Sequence, residues 1–313
     1  MKVFCTRRLP GRALERLSAV HDLETWDERL PPPPEELLAR APELHGLLTL
    51  LTEKVDADLL AAAPSLRAVS NYAVGVDNVD VEAATARGIP VGNTPEVLTE
   101  STADLAVGLM LAIGRRIVEG DAYVRRGEWR TWEPDLLLGH DLHDATVGIV
   151  GFGRIGRAVA RRCKGFGCEV LHTGRGGGTP LDELLERSDF VTLHAPLTPA
   201  TRGLIDADAL GHMKPTAYLI NTARGPMVDS DALARALHEG QIAGAALDVT
   251  DPEPLPADHA LLEAPALVVV PHIGSAARAT RERMADMAVD NLIAGLAGER
   301  MPNCANPEAY GAS

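Results

Sequence analysis

At 313 residues the chain exceeds what one hydrophobic core usually serves, roughly 250 residues, so two domains are expected. Its 30 basic against 44 acidic residues leave a formal charge of −14, which favours solubility and excludes an electrostatic grip on DNA, RNA or an anionic membrane. Cys5, Cys163, Cys168 and Cys304 show no paired metal spacing, and no apolar run is long enough for a signal or a span. A reduced cytoplasmic setting without a metal is therefore expected, with small molecules and other subunits as partners.

In chain order, β-like runs at residues 3–6, 23–26, 47–51, 68–71 and 89–92 alternate with helix-like stretches at 11–18 and 55–62, the rhythm of a first βα unit. The prolines at 31–34 can neither continue a helix nor enter a central strand, and read as a rigid loop ahead of a helix near 35–40. Thr99 or Ser101 is expected to cap a long helix to about Glu119, with Leu105, Leu109, Ile113 and Ile117 on one buried stripe. From Val147 the rhythm restarts, with strands at 147–150, 169–173, 190–194, 217–223, 244–249 and 267–271, a second doubly wound sheet. A last helix near 279–296 carries Met284, Ala288, Leu292 and Leu296 on one face; with no strand after it, it is expected to return to the first domain.

The predicted fold is thus α/β, with two doubly wound parallel-sheet domains. Residues 1–97 plus 281–313 form a discontinuous substrate domain and residues 98–280 a dinucleotide-binding domain, joined by two crossings that hinge an interdomain cleft.

Gly151, Gly153 and Gly156 form a G-x-G-x-x-G directly after a strand and before a helix that runs on through Val159 and Ala160. That context lifts the motif above a bare match and argues against a plain glycine-rich turn. Gly151 permits the tight turn, Gly153 the approach of backbone to a pyrophosphate, and Gly156 close helix–sheet packing. A site for NAD usually carries an acid after its second strand to hold the ribose hydroxyls. Here the strand ends Leu171-His172-Thr173-Gly174-Arg175, with no acid. Arg175, the Thr173 hydroxyl and the backbone of 174–178 suit a 2′-phosphate, so NADP(H) is favoured and NAD(H) stays open. A solvated loop charge is the plainer alternative for Arg175.

The last three strands place Arg224, Glu253 and His272 just past their ends. Ligands of open α/β sheets bind beyond the carboxyl ends of the strands, so a guanidinium, a carboxylate and an imidazole converge there. An imidazole titrates near neutrality, a neighbouring carboxylate favours its charged form, and Arg grips a carboxylate with two hydrogen bonds. The trio suits a substrate that is both a carbonyl and an acid. Each member alone has a plainer reading: a structural His, a rigid exposed loop between two prolines, a surface ion pair. His140, His143, His194, His212, His238 and His259 have no comparable setting, although His194 falls near the cofactor by position; Cys163 and Cys168 read as inert thiols.

With Asn221-Thr-Ala-Arg-Gly225, Ala246-Leu-Asp248-Val, Asp251-Pro-Glu-Pro-Leu255 and Pro271-His-Ile-Gly-Ser275, nearly the whole chain resembles the D-isomer-specific 2-hydroxyacid dehydrogenases. Within them it is similar to the glyoxylate/hydroxypyruvate reductases, through Ala73-Val-Gly-Val-Asp77-Asn, Asn93-Thr-Pro-Glu-Val-Leu-Thr99, Thr102-Ala-Asp-Leu and Gly127-Glu-Trp129. The resemblance implies a flavodoxin-like substrate domain beside a Rossmann domain. It makes His272 the acid/base, Glu253 its partner, and Arg224 the residue that orients the substrate. Substrate-binding residues would also include Leu51 and the backbone of Val74 and Gly75.

For the cofactor the resemblance implies Thr102, Gly151, Gly153, Arg154, Ile155, Gly156, Thr173, Gly174, Arg175, Ala195 and Pro196. Thr201, Thr222, Ala223, Arg224, Asp248, His272 and Gly274 complete that set, with Asp248 accepting from the nicotinamide carboxamide. The implied reaction is NAD(P)H-dependent reduction of a small 2-oxo acid, glyoxylate or hydroxypyruvate, to the D-2-hydroxy acid. A phosphoglycerate-, phosphite- or formate-type relative, or an NAD(H)-sensing corepressor-like protein, is the alternative. A homodimer formed through the loop of Trp129 and Trp132 is also implied. Two departures stand out: the stretch between Arg175 and Leu181 is short, and Leu136 stands where some of these reductases project a Trp into the partner's active site.

Overall fold

The computed structural model describes residues 1–311 and contains two compact units, one of Met1–Leu98 with the segment from Ala276 onward, the other of Thr99–Ser275. Ala312 and Ser313, the last residues of the predicted substrate domain, lie outside the described residues.

In the first unit β1 (Lys2–Cys5), α1 (Ala13–Ser18), β2 (Asp22–Thr25), α2 (Pro34–Arg40), β3 (Gly46–Thr49), α3 (Ala57–Ala62), β4 (Ala68–Asn71), α4 (Val81–Ala86) and β5 (Val91–Gly92) follow in sequence. The five strands are parallel in the order β2-β1-β3-β4-β5. Strand order reverses between β1 and β3, and a doubly wound sheet opens its ligand crevice at such a point. Residues of β3 and β4 are buried throughout, as expected of parallel strands covered on both faces.

The second unit opens with α5 (Thr99–Gly114) and α6 (Ile117–Arg125), and continues through β6 (Thr146–Val150), α7 (Arg154–Gly165), β7 (Glu169–Thr173), α8 (Leu181–Arg187) and β8 (Phe190–Leu193). It ends with α9 (Ala207–His212), β9 (Tyr218–Asn221), α10 (Ser230–His238), β10 (Gly244–Leu247) and β11 (Leu267–Val269). Six parallel strands run in the order β11-β10-β9-β8-β6-β7. A dinucleotide sheet usually carries a third strand outside the second. Here residues 174–180 lead from β7 straight into α8 with no strand between them, and the next strand, β8, pairs on the far side of β6, so β7 is the edge. Gly178 runs along that edge: a Cβ there would lie 2.2 Å from His172 O, and Thr179 N donates to the same carbonyl at 2.8 Å.

The single helix expected up to Glu119 is two helices. At Gly114 the helix carbonyl is taken by His140 N at 2.8 Å, and a Cβ on Gly139 would lie 2.1 Å from that oxygen. Arg116 then turns left-handed, with φ of 51°. Ile117, expected on the buried stripe, is 55% exposed. The buried face of α5 consists instead of Ala103, Ala106, Val107, Leu109, Met110 and Ile113, packed with Val147, Ile149 and Ile220.

The last helix, α11 (Arg278–Ala297), belongs to the first unit, where Met284, Ala285, Ala288, Val289, Leu292 and Leu296 join Val3, Leu48 and Ala68 in one core. Small residues let it lie close. A Cβ on Gly295 would come 2.9 Å from that of Ala68, and one on Gly46 3.0 Å from Leu296 Cδ1. Each fully buried leucine here contributes roughly 1.5–3 kcal/mol of transfer free energy.

His194 follows β8, with Nε2 2.9 Å from Thr192 Oγ1 and Nδ1 3.5 Å from Thr222 Oγ1. Enclosure without a carboxylate partner pushes its pKa down to about 3. The unfolded chain protonates this ring near pH 6.5, so between about 6.5 and 3 only the unfolded state binds the proton, and stability falls as pH drops through that window. His194→Gln is expected to lose stability less steeply between pH 7 and pH 4 than the parent, read as urea midpoints. Parallel slopes would show that the folded protein does not hold this ring neutral.

Candidate active site

Strands β9, β10 and β11 are neighbours, paired through Asn221 with Leu247 and Leu247 with Val269. Their carboxyl ends therefore lie side by side, about 4.8 Å apart. The segments leaving them carry Arg224, Glu253 and His272.

The exit from β9 is shaped by Asn221, which is fully buried. Its Oδ1 accepts from Ala223 N at 3.0 Å and its Nδ2 donates to Arg224 O at 2.9 Å, a local turn that aims Arg224. Gly225 is required next, because a Cβ there would sit 1.8 Å from Thr250 O. The loops after β9 and β10 thus touch backbone to backbone. Beyond Thr250, Glu253 lies between two prolines, and both Asp251–Pro252 and Glu253–Pro254 are cis.

His272 sits in the left-handed region, with φ of 51°, a conformation that costs a non-glycine residue of order 1–3 kcal/mol and is held only where the surroundings dictate it. Its N–H donates to Asp248 O at 2.9 Å and Val270 O at 3.0 Å. The Asp248 carboxylate takes the next two amides, Ile273 N at 2.6 Å and Gly274 N at 2.8 Å. Thr102 Oγ1 donates to Gly274 O at 3.3 Å. The turn is fixed from both sides. Asp248 is 2% exposed, and burial raises its pKa against the opposing pull of the two amides and the His272 ring.

The His272 ring then meets Glu253, with Nδ1 and Oε1 2.5 Å apart and both side chains partly exposed. A carboxylate only accepts, so Nδ1 carries the proton and Nε2 is left as the nitrogen that can exchange one. This is the geometry of an oriented acid/base. Arg224 donates through Nη1 to Ala223 O at 2.7 Å, and its side chain is half-buried.

The glycine loop follows β6. Gly151, with φ of 96°, would place a Cβ 2.4 Å from Ala195 N, and Gly156 one 2.2 Å from Gly151 O. Neither position accepts a side chain. At Gly153 nothing lies within 4 Å of the added carbon, and α7 begins there without a side-chain cap. Uncapped amides at a helix start, beside open space, fit a pyrophosphate. Arg154 is exposed and Ile155 half-buried.

Around the loop, Thr201 Oγ1 donates to Pro196 O at 2.7 Å and accepts from Thr198 N at 2.8 Å, holding the turn after Ala195. Thr222 and Ala223 are buried, Thr173 is half-buried, and Gly174 and Arg175 are exposed. Phe152 stacks on His172 with centroids 3.9 Å apart, and Arg157 lies over its ring at 5.6 Å.

In the first unit Leu51 and Val74, on the segments after β3 and β4, are 40% and 36% exposed, and Gly75 is half-buried. Sequence reasoning passed over the polar residues of this region, buried Glu53 and Asn71 and half-buried Asn78, and over buried Asn221. Asn71 and Asn221 each end an apolar run that leads into a glycine turn, at Gly75 and Gly225, and read simply as turn formers; Glu53 and Asn78 lack even that signal.

The sequence model described as "D-isomer specific 2-hydroxyacid dehydrogenase, NAD binding domain" matches residues 107–274. A glyoxylate reductase of Korarchaeum cryptofilum is 48% identical, covering 98% of this chain and 96% of its own. One of Thermococcus litoralis is 46% identical over 100% and 98%. Among solved structures, the TT0316 protein of Thermus thermophilus superposes with a TM-score of 0.92 at 50% identity, covering 97% of this chain and all of its own. An NADPH-dependent glyoxylate/hydroxypyruvate reductase of Sinorhizobium meliloti, solved with NADP and malonate, gives 0.85 at 35% identity over 97% and 96%. The chain is an oxidoreductase that belongs to the D-isomer-specific 2-hydroxyacid dehydrogenase family, and its second unit is that family's NAD-binding domain.

Proposed function

We propose that this enzyme reduces a small 2-oxo acid, glyoxylate or hydroxypyruvate, to the D-2-hydroxy acid, with NADPH favoured over NADH. The observation that carries the reading is His272, held left-handed with Nδ1 2.5 Å from Glu253 and Nε2 left over. The bound nicotinamide coenzyme supplies the hydride. His272 delivers the proton to the carbonyl oxygen from Nε2, while Glu253 fixes the ring and balances its charge. Arg224 orients the substrate's carboxylate and polarises its carbonyl. The amides of Val74 and Gly75 hold the same carboxylate, and Leu51 forms an apolar wall.

For the coenzyme, the glycine loop receives the pyrophosphate. Thr173, Gly174 and Arg175 take the 2′-phosphate, with no acid at this strand end to repel it. Ala195, Pro196, Thr201, Thr222 and Ala223 line its path. Both Asp248 oxygens already accept backbone amides, and the lone pairs that remain suit a carboxamide N–H. The role assigned to Asp248 is thereby double, fixing the His272 turn and orienting the nicotinamide.

A homodimer is part of this reading. Ile117, Val118, Val124, Trp129 and Trp132 are all more than half exposed on α6 and the loop after it, and exposed apolar side chains gathered on one segment suit a protein interface. The partner proposed for it is a second copy of the chain. Trp132→Asp is expected to shift the sedimentation coefficient from dimer to monomer, and an unchanged value would exclude this face.

His272→Asn should lower glyoxylate turnover about 10²–10⁴-fold, with NADPH affinity kept within roughly twofold by fluorescence titration. A variant that retains full rate would remove His272 from the chemistry. Arg175→Ala should cut kcat/KM with NADPH roughly 10-fold or more and leave NADH kinetics unchanged. A parent enzyme already preferring NADH would overturn the Arg175 assignment.

A further inference from the structure

The turn at residues 73–75 is anchored by its carbonyls. Ala73 O accepts from Thr94 N at 2.8 Å, Val74 O from Asn93 Nδ2 at 2.8 Å, and Gly75 O from Asn71 Nδ2 at 2.9 Å. In a trans peptide the C=O and the following N–H point in opposite directions. With three successive carbonyls each held by a protein donor, the amides of Val74, Gly75 and Val76 face away from those donors. Among the described residues, no protein acceptor takes any of the three. Successive amides so presented form a concave seat for an anion.

The donors behind this turn belong to one network. Asn71 is fully buried and gives both Nδ2 hydrogens away, to Gly75 O and to Asn78 Oδ1, each at 2.9 Å. Its own Oδ1 has no partner. A buried amide kept with its oxygen unsatisfied is there for its two donors, which no serine or threonine could replace. Asn78 in turn donates from Nδ2 to Leu50 O and Glu53 O, both at 2.8 Å. Those two carbonyls settle the orientation of its amide, leaving Oδ1 to accept from Asn71.

Glu53, 3% exposed, closes the other loop. It accepts from Thr6 Oγ1 at 2.6 Å, Thr49 Oγ1 at 3.2 Å, Leu50 N at 2.9 Å and Thr52 Oγ1 at 2.5 Å, with Arg7 Nη1 at 3.7 Å. Val55 N donates to Asn78 O, and Asp80 N to Val55 O, both at 2.8 Å. The loop bearing Leu51 and the turn bearing Val74 and Gly75 are consequently one stapled body.

We infer that Asn71 and Asn78 are positioning residues for substrate affinity: they keep the amides of Val74 and Gly75 turned away from the protein donors, in register with Leu51. The inference rests on the proposal that this turn receives the carboxylate of a 2-oxo acid. Neither asparagine touches the substrate or moves a proton, so their loss is read in KM and leaves kcat largely intact.

The test compares Asn71→Ala and Asn78→Ala with Asn306→Ala. Asn306 is a buried amide of the same unit that bonds Val91 N, Ile89 O and Thr85 Oγ1 instead. Steady-state kinetics with glyoxylate are paired with calorimetric binding of oxalate, an unreactive carboxylate, to the NADPH-loaded enzyme. Asn71→Ala and Asn78→Ala should raise both KM and the oxalate Kd roughly 10- to 100-fold, with kcat and NADPH affinity within about threefold. Asn306→Ala should lower Tm and leave both values in place. Where an alanine variant does not fold, Asn78→Asp keeps the volume and removes the two donated bonds.

Unchanged oxalate affinity in folded Asn71 and Asn78 variants, or an equal loss in Asn306→Ala, overturns the inference. A parent enzyme that reduces no 2-oxo acid overturns the proposed reaction instead. In that case oxalate binding alone decides the anion seat: weakening by the Asn71 and Asn78 variants upholds it, and no binding to the parent removes it.

Discussion

The carboxylate of Asp248 fixes the turn that carries His272. It lies in the core side of a turn, 2% exposed, where an unpaired carboxylate would be strongly unfavourable. Two consecutive amides, from Ile273 and Gly274, answer that demand. A hydrogen bond to a charged group contributes roughly 1.5–3 kcal/mol, enough to offset the left-handed backbone that His272 must adopt for the next two N–H groups to reach inward. Both costs, the strained backbone and the buried charge, are met by hydrogen bonds within three residues, and the ring is held beside Glu253.

Much of this was legible in the sequence. The strands fall within two residues of their expected ends, because parallel strands buried on both faces read as short apolar runs whatever surrounds them. The glycine loop was legible because Gly151 and Gly156 face backbone atoms where no Cβ fits, so the residue type itself records the contact. What the sequence concealed depended on partners distant along the chain. The break after Gly114 is caused by His140, whose amide takes the carbonyl that would have continued the helix. Helical periodicity carries no trace of that bond. The buried asparagines were equally silent, since an Asn at a strand end looks like a turn former until its acceptors are known.

Both units use the same winding, with strand order reversing beside the first strand, yet they furnish their carboxyl ends differently. The second unit clears space with glycines and leaves helix amides uncapped at Gly153. The first fills the equivalent region with Glu53, Asn71 and Asn78, and presents a turn whose carbonyls are all occupied. One end leaves helix amides beside open space, the other a turn backed by side-chain hydrogen bonds. The difference follows from side-chain volume and hydrogen-bond arithmetic at a few strand ends.

The missing strand outside β7 has a consequence for how this enzyme can change. Residues 174–180 connect the sheet's edge to α8 without forming a strand, and of these only Gly178 and Thr179 bear on β7, through His172 O. A change of charge at exposed residues 174–177 leaves the pairing of the six strands untouched. The surface beside β7 can therefore vary separately from the stability of the sheet, because the ladder stops there.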